Sequence, residues 1–342
     1  MKAVMKTAPK QGFEFAELPV PKPGPKEILV KVKATSICGT DVHITEWDEW
    51  AQNRIKPPLL YGHEFAGEVV EKGGNAEGVE VGDFVSAETH VYCGHCFQCQ
   101  TGNAHICENV KILGVDINGC FAEYAAIPAS NAWKNSKKIN PKHASAQEPL
   151  GNAVHTVSYC NVRDANVAIF GMGPIGLCAV QVCKAYGARK VIAVNPGEYR
   201  RKLAEKNGAD LVLNPKEDDV VKEIMDATDG RGSDVLIEMS GSPQGITQGF
   251  ESLRPGVEVG FLGIPPKPFE FDWSKNVVFK GCTIHGVNGR KIWDTWYRSR
   301  SLLESGKVDL GKIVTHELRL SDFAEGIELM KKGECGKIVM TP

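Results

Sequence analysis

The sequence has no run of about 18 apolar residues, which excludes a membrane-spanning helix of ordinary length. It also has no excess of charge: 40 Lys and Arg stand against 42 Asp and Glu, a formal net charge of -2. A nucleic-acid-binding surface would need a basic total or a basic stripe, and short runs such as Arg200-Arg201-Lys202 read as solvated helix faces. Repeats and low-complexity tracts are missing, so neither a solenoid nor a disordered linker is expected. The opening residues Met1-Lys2-Ala3-Val4 lack the apolar stretch of a signal peptide. Eleven cysteines, an odd number, fit no disulfide framework. These absences point to a cytoplasmic protein that binds neither membrane nor nucleic acid.

Four of the cysteines are concentrated. Cys93, Cys96, Cys99 and Cys107 form a C-x2-C-x2-C-x7-C cluster, whereas Cys38, Cys120, Cys160, Cys178, Cys183, Cys282 and Cys335 are scattered. Four thiolates so spaced can enclose one tetrahedral zinc ion. In a reducing compartment a pair of disulfides is the poorer reading. A closed site leaves no position for substrate, so this zinc is expected to hold a lobe rather than to do chemistry.

At 342 residues the chain can bury two cores. Residues 1–150 read as short strands broken by Gly and Pro, with Ile28 to Lys33 alternating and Gly82-Asp83 marking a turn before Phe84-Val85. From residue 151 to 295 the texture changes. Short apolar strands at Val167–Phe170, Lys190–Val194, Leu211–Leu213 and Val235–Ile237 alternate with helical periods at Pro174–Tyr186, Glu198–Asn207 and Val220–Ala227. That alternation implies right-handed βαβ crossovers and a doubly wound parallel sheet, an α/β fold.

Gly171-Met172-Gly173-Pro174-Ile175-Gly176 is a G-x-G-x-x-G placed directly after one strand and at the start of a helix. In that context the first glycine permits the tight turn, the second admits the pyrophosphate and the third packs helix on strand. The helix N-terminus offers free N–H groups to phosphate. Where an acid is expected at the end of the second strand, Asn195 stands instead. It can still bond a ribose hydroxyl but does not repel the extra phosphate of NADP, which Arg200 and Arg201 could attract. The expected cofactor is NAD, with NADP second.

Cys38 in Ile37-Cys38-Gly39-Thr40-Asp41-Val42-His43 and His63-Glu64 in Tyr61-Gly62-His63-Glu64-Phe65 offer a thiolate, an imidazole and a carboxylate. Together these could hold a second zinc with an open fourth position, although sequence distance alone does not bring them together. These segments resemble the zinc-dependent medium-chain alcohol dehydrogenase family, and specifically its threonine-oxidising branch. The match is carried further by Glu46-Trp47-Asp48-Glu49-Trp50-Ala51-Gln52, by Glu148-Pro149-Leu150-Gly151-Asn152-Ala153-Val154-His155-Thr156, and by Gly289-Arg290 with Trp293 to Tyr297. It spans essentially the whole chain, and Asn195 is its clearest departure.

The resemblance implies a β-rich, GroES-like catalytic domain over 1–150, completed by 296–342 and bearing the structural zinc lobe. A Rossmann domain would occupy 151–295. It makes Cys38, His63 and Glu64 ligands of a catalytic zinc and Glu148 a nearby acid that can also coordinate. Neighbours in a regular strand face opposite ways, so His63 and Glu64 reach one metal only if the backbone bends. Thr40 and His43 would relay a proton to solvent, and His90 would bear on substrate specificity. Ile175, Asn195, Arg200, Leu262, Gly263, Ile264, Val287 and Asn288 would join the glycine loop in binding cofactor. The implied reaction is oxidation of the β-hydroxyl of L-threonine with NAD, in a homotetramer carrying two zinc ions per subunit. Polyol or 2,3-butanediol oxidation is the alternative within the same chemistry.

Overall fold

The structure is a computed structural model that describes residues 1–342. The chain divides into two units, Met1–Glu148 with Val314–Pro342, and Pro149–Ile313.

The first unit is β-rich. A seven-stranded sheet runs in the order Ala132–Lys134, Phe84–Ala87, Phe65–Lys72, Glu27–Ser36, Lys337–Thr341, Val314–Arg319, with Tyr124–Pro128 also pairing with Glu27–Ser36. The long strand Glu27–Ser36 alternates apolar Ile28, Val30 and Val32 with lysines at 31 and 33, and its apolar face is buried. The core beneath it gathers Val30, Ile37, Tyr61, Phe65, Phe121, Phe323, Ile338 and Met340. Phe323 is its aromatic hub, touching Phe13, Tyr61 and Phe121 edge-on at 4.8, 5.6 and 5.5 Å. Smaller sheets pair Lys2–Lys6 with Glu14–Glu17 and Leu59–Leu60, and His90–Val91 with Lys111–Ile112.

The second unit holds a six-stranded, all-parallel sheet in the order Leu211–Leu213, Lys190–Val194, Asn166–Phe170, Ser233–Glu238, Leu253–Phe261, Thr283–Gly286. Its central strands Asn166–Phe170 and Lys190–Val194 are nearly continuous apolar runs, as strands covered on both faces must be. The strand order reverses between Asn166–Phe170 and Ser233–Glu238, which creates the crevice at the carboxyl ends where such sheets bind ligands.

The chain returns to the first unit at Val314, later than the expected 296. The reason is local. Trp296 and Leu302 on helix Asp294–Glu304 are buried in the second unit. Beyond that helix, Gln181 and Asp309 exchange two hydrogen bonds of 3.0 and 2.7 Å. No helix is long and apolar enough to cross a membrane.

Candidate active site

Cys38 ends the turn after strand Glu27–Ser36 and stands at the N-cap of helix Gly39–Glu46. Its N–H donates to Asp41 Oδ2 at 2.8 Å, which fixes the turn that carries the sulfur. His63 and Glu64 follow Gly62, whose φ of +90° lies where L side chains are strained. A Cβ at Gly62 would stand 2.0 Å from Phe121 Cδ1, so glycine is the residue that fits. The adjoining strand begins only at Phe65. The pair is thereby released from strand alternation, and both side chains are buried, 5% and 1% exposed. This is the bend that lets two neighbouring side chains approach one centre. Ligand atoms of Cys38, His63 and Glu64 lie within 4.8 Å of one another.

Negative character dominates this cluster. Burial pushes the Asp41 carboxyl up to about 6 even against the pull of His63. On His63 burial acts downward, but Cys38, Asp41 and Glu64 outweigh it and drive the imidazole up to about 10. Glu64 Oε1 is buried without a hydrogen-bond partner, while His63 Nδ1 and Asp41 Oδ1 face each other at 4.0 Å, too far for a hydrogen bond. Buried polar atoms are ordinarily satisfied. A thiol, an imidazole and a carboxylate gathered around unsatisfied atoms suit a cation, and three protein ligands leave a fourth position open.

Sequence reasoning missed the residue that organises the carboxylate. Lys337, 1% exposed, donates to Ile37 O at 2.8 Å and pairs with Glu64 Oε2, which also accepts from the Ser36 hydroxyl. Burial would strip its charge, but Glu64 and Cys38 outweigh burial and hold the ammonium form. The one signal in the sequence was a lysine directly ahead of the apolar run Ile338-Val339-Met340. Glu148, 8% exposed on helix Gln147–Ser158, is outside the three-residue set, although its charge acts on Lys337.

Thr40 Oγ1 lies 3.8 Å from Cys38 Sγ. His43 is exposed and its Nδ1 meets Asp48 Oδ2 at 2.5 Å, while Asp48 Oδ1 caps the next helix through Ala51 N–H at 3.0 Å. Asp48 is thus a second residue the sequence reading passed over. Trp47 packs under the Lys6 ammonium at 4.8 Å, and Trp50 is exposed near His43. His90 is a buried strand residue: its N–H donates to Glu88 Oε1 and its carbonyl accepts from Asn131, both at 2.9 Å.

The four-cysteine cluster converges as the spacing requires, with ligand atoms within 4.8 Å. Cys93 and Cys96 sulfurs lie 3.5 and 3.8 Å from that of Cys107. Zinc–sulfur bonds of about 2.3 Å in a tetrahedron give sulfur separations of about 3.8 Å, so the cage has the size of the ion. The N–H of His95 helps to pull the Cys93 thiol down to about 6, which favours the thiolate. Cys99 is pushed up to about 12, first by burial and then by hydrogen bonds to the Cys96, Cys107 and Cys93 sulfurs that hold its proton.

In the second unit the glycine loop has the geometry its motif implies. Gly171 has φ +93° and a Cβ there would press within 2.7 Å of Ser240 backbone; one at Gly176 would lie 1.9 Å from Gly171 O. At Gly173, the N-cap of helix Pro174–Ala185, a Cβ would meet nothing within 4 Å, so this side of the turn is open for a phosphate. Asn195 is engaged within the loop itself. Its Oδ1 accepts from Met172 N–H at 3.1 Å and its Nδ2 donates to Gly197 O at 3.2 Å, so it braces the loop. Arg201 spends its guanidinium on the Asn195 and Pro196 carbonyls at 3.0 and 2.7 Å, and Arg200 is half-buried on the same helix. Leu262 and Gly263 N–H groups donate to Glu238 O at 2.9 and 3.0 Å, Ile264 is 88% exposed, and Val287 N–H is held by Phe261 O. Asn288 follows Val287 past the end of the outermost strand. Glu238, unremarked in the sequence, gathers the Ser240 and Gly241 N–H groups around its buried carboxylate.

A closed four-thiolate cage and an open Cys-His-Glu set share this chain with a doubly wound dinucleotide sheet. Residues 24–137 match the alcohol dehydrogenase GroES-like domain and residues 174–305 the zinc-binding dehydrogenase domain. The chain belongs to the zinc-binding dehydrogenase family. An L-threonine 3-dehydrogenase from Pyrococcus abyssi is 53% identical over 340 residues, covering 99% of this chain and 98% of that protein. Two solved structures are each 28% identical, covering 100% of this chain and 99% of theirs. One, a zinc-binding dehydrogenase from Sinorhizobium meliloti bound to NADP, has a TM-score of 0.89. The other, an Escherichia coli alcohol dehydrogenase complexed with NADH, has a TM-score of 0.90.

Proposed function

We infer that this protein oxidises the β-hydroxyl of L-threonine to 2-amino-3-oxobutanoate, passing hydride to NAD and releasing one proton. The observation that carries the chemistry is the buried Cys38, His63 and Glu64 set, with its unsatisfied atoms, in a chain that also bears an intact dinucleotide turn. The choice of threonine rests on 53% identity across nearly the full length to an L-threonine 3-dehydrogenase.

Cys38, His63 and Glu64 would hold the catalytic zinc, and Cys93, Cys96, Cys99 and Cys107 the structural one. Zinc supplies a Lewis acid that eases loss of the hydroxyl proton near neutral pH, and the nicotinamide supplies the hydride acceptor. Thr40 and His43 carry the proton away. With Nδ1 of His43 engaged by Asp48, Nε2 is the nitrogen left to accept it. His90 contributes to substrate choice, and Glu148 supplies a further negative charge nearby. Gly171, Gly173, Pro174, Ile175, Gly176, Asn195, Arg200, Leu262, Gly263, Ile264, Val287 and Asn288 form the NAD surface, with the pyrophosphate over the open face at Gly173. A homotetramer in the cytoplasm is the working state; the uncovered edge strand Thr283–Gly286 and the exposed Trp273, Val278 and Phe279 support self-association.

The test is turnover of zinc-loaded protein on L-threonine, sorbitol and 2,3-butanediol, with NAD and NADP in parallel. Threonine with NAD should give the highest kcat/KM. A higher value for either polyol overturns the substrate, and a preference for NADP overturns the cofactor. Glu148→Ala should lower kcat while two zinc ions per chain are retained; loss of one would make Glu148 a ligand.

A further inference from the structure

The buried lysine beside the Cys38, His63 and Glu64 set has no part in the chemistry above, yet its contacts are specific. Lys337 opens the strand Lys337–Thr341, which pairs antiparallel with Glu27–Ser36 through Met340 with Thr35 and Val339 with Ser36. The main chain continues that tie, since Ile37 N–H donates to Ile338 O at 3.0 Å. The Lys337 ammonium then reaches back to Ile37 O, the carbonyl directly before Cys38. Its other contact is Glu64 Oε2. One ammonium therefore ties the segment that carries the thiolate to the carboxylate that completes the set.

The two oxygens of Glu64 are consequently unequal. Oε2 takes both available donors, Lys337 and Ser36, while Oε1 is buried without a partner. A carboxylate with one oxygen saturated by a cation and a hydroxyl presents the other as a single ligand atom.

We propose that Lys337 is a positioning residue for the catalytic zinc: it locks Glu64 by Oε2 so that Oε1 alone faces the metal, and it braces the Ile37–Cys38 backbone against that carboxylate. This rests on the metal reading of Cys38, His63 and Glu64 given above. Removing a partner of a metal ligand ordinarily weakens the metal by about 10–100-fold. Lys337 acts on two ligands at once, so the upper half of that range is expected.

The experiment measures zinc affinity of the full chain by competition with a chromogenic chelator, with metal counts to separate the two sites. Wild-type protein should hold two zinc ions and Cys38→Ser one; a single wild-type zinc unaffected by Cys38→Ser refutes the metal reading itself. Lys337→Met should weaken one zinc by about 30–100-fold and leave the other in place. Lys337→Arg should recover part of the loss. In a Glu64→Gln background the Lys337→Met change should cost much less than in wild type, because the oxygen it holds is no longer a carboxylate. With cobalt in the catalytic site, Lys337→Met should also shift the ligand-field bands. Unchanged affinity in Lys337→Met, or an equal loss with and without Glu64→Gln, overturns the proposal. Should Lys337→Met not fold, Ser36→Ala removes the second donor from the same oxygen; a smaller loss of the same zinc supports the lock, and no loss refutes it.

Discussion

Gly62 is the hinge on which the Cys-His-Glu set turns, and Gly62→Ala puts a number on it. The backbone there has φ +90°, and adopting a left-handed conformation with a Cβ costs roughly 1–2 kcal/mol. The new methyl would lie 2.0 Å from Phe121 Cδ1. Phe121 cannot turn aside freely, because it is fully buried and packed edge-on to Phe323 at 5.5 Å. Nor can the Gly62 backbone retreat: a Cβ at Gly114 or Gly119 would already stand 2.3 or 1.9 Å from Gly62 O, so the chain is walled in by two further glycines. Overpacking of this kind costs about 1–3 kcal/mol. Reduced freedom of the unfolded chain returns about 0.4–1 kcal/mol. The net loss is therefore about 1–4.5 kcal/mol, and whatever backbone shift relieves it displaces His63 next door. Urea unfolding should show that loss together with weaker catalytic zinc. Gly74→Ala, where a Cβ meets nothing within 4 Å and φ is not positive, should stay within about 0.5 kcal/mol of wild type. A Gly62→Ala protein within 1 kcal/mol of wild type and fully loaded with zinc (on the order of a fivefold change in folding equilibrium) would refute this account of the bend.

Three other outcomes follow from particular contacts. Asp234 is the shared partner of Arg254 at 2.6 Å and Arg189 at 3.8 Å, and accepts from Asn166 N–H at 2.8 Å. Burial acts to raise its carboxyl, but the Arg254 and Asn166 hydrogen bonds outweigh it and hold the group below 3.8. A depressed acid stabilises the fold above its unfolded pKa and loses that contribution as pH falls through the folded value. Asp234→Asn should therefore cost on the order of 1 kcal/mol at pH 7, with the deficit shrinking below about pH 4 in urea titrations. Cys93→Ser opens the four-thiolate cage; one zinc should be lost, with thermal stability falling at zinc concentrations where the catalytic site stays loaded. Asn195→Asp keeps the acceptor for Met172 N–H, gives up the donor to Gly197 O and adds a charge that repels a ribose phosphate. The kcat/KM ratio of NAD to NADP should rise by about tenfold or more; an unchanged ratio would mean that Asn195 serves the loop alone.

Local pattern carried most of what could be read from the chain. The glycine turn was legible because its conformational demands fall within six residues, and so was the cage, whose four sulfurs lie in one short loop. Helix Val220–Ala227 and strand Leu211–Leu213 lie where their periodicity places them. Illegible features depend on pairing between distant segments. That His63 and Glu64 could face one centre needed Phe121 to occupy the space beside Gly62, and nothing in Tyr61-Gly62-His63 announces that ring. Asn195 stands at the ribose position that ends the second strand, but its engagement with Met172 N–H depends on how the first and second strands pair. The return to the first unit was misplaced because helix periodicity at Asp294–Glu304 says nothing about which sheet the helix covers.

Charge at the proposed catalytic centre shows what such long-range placement changes. Counted from sequence, a divalent ion with Cys38 and one carboxylate is neutral. A second carboxylate from Glu148 would then make the centre negative and weaken its pull on a hydroxyl proton. Balance on those terms demands that Glu64 and Glu148 exchange at the metal, one withdrawing when substrate oxygen arrives. Lys337, supplied by the last strand, alters the count: its ammonium is buried against Glu64 and feels Glu148 as well. With that positive charge included, both carboxylates can stay near the ion and leave the centre neutral. Alternation is then not required by charge. Geometry also opposes it on one side, because Glu64 is held through Oε2 by two donors whereas Glu148 lies outside the ligand set. If one carboxylate moves during turnover it is therefore Glu148. X-ray absorption of the zinc-loaded enzyme, with Glu148→Gln as the comparison, should show Glu64 oxygen at the metal both with and without threonine; its loss on substrate binding would restore the alternating scheme.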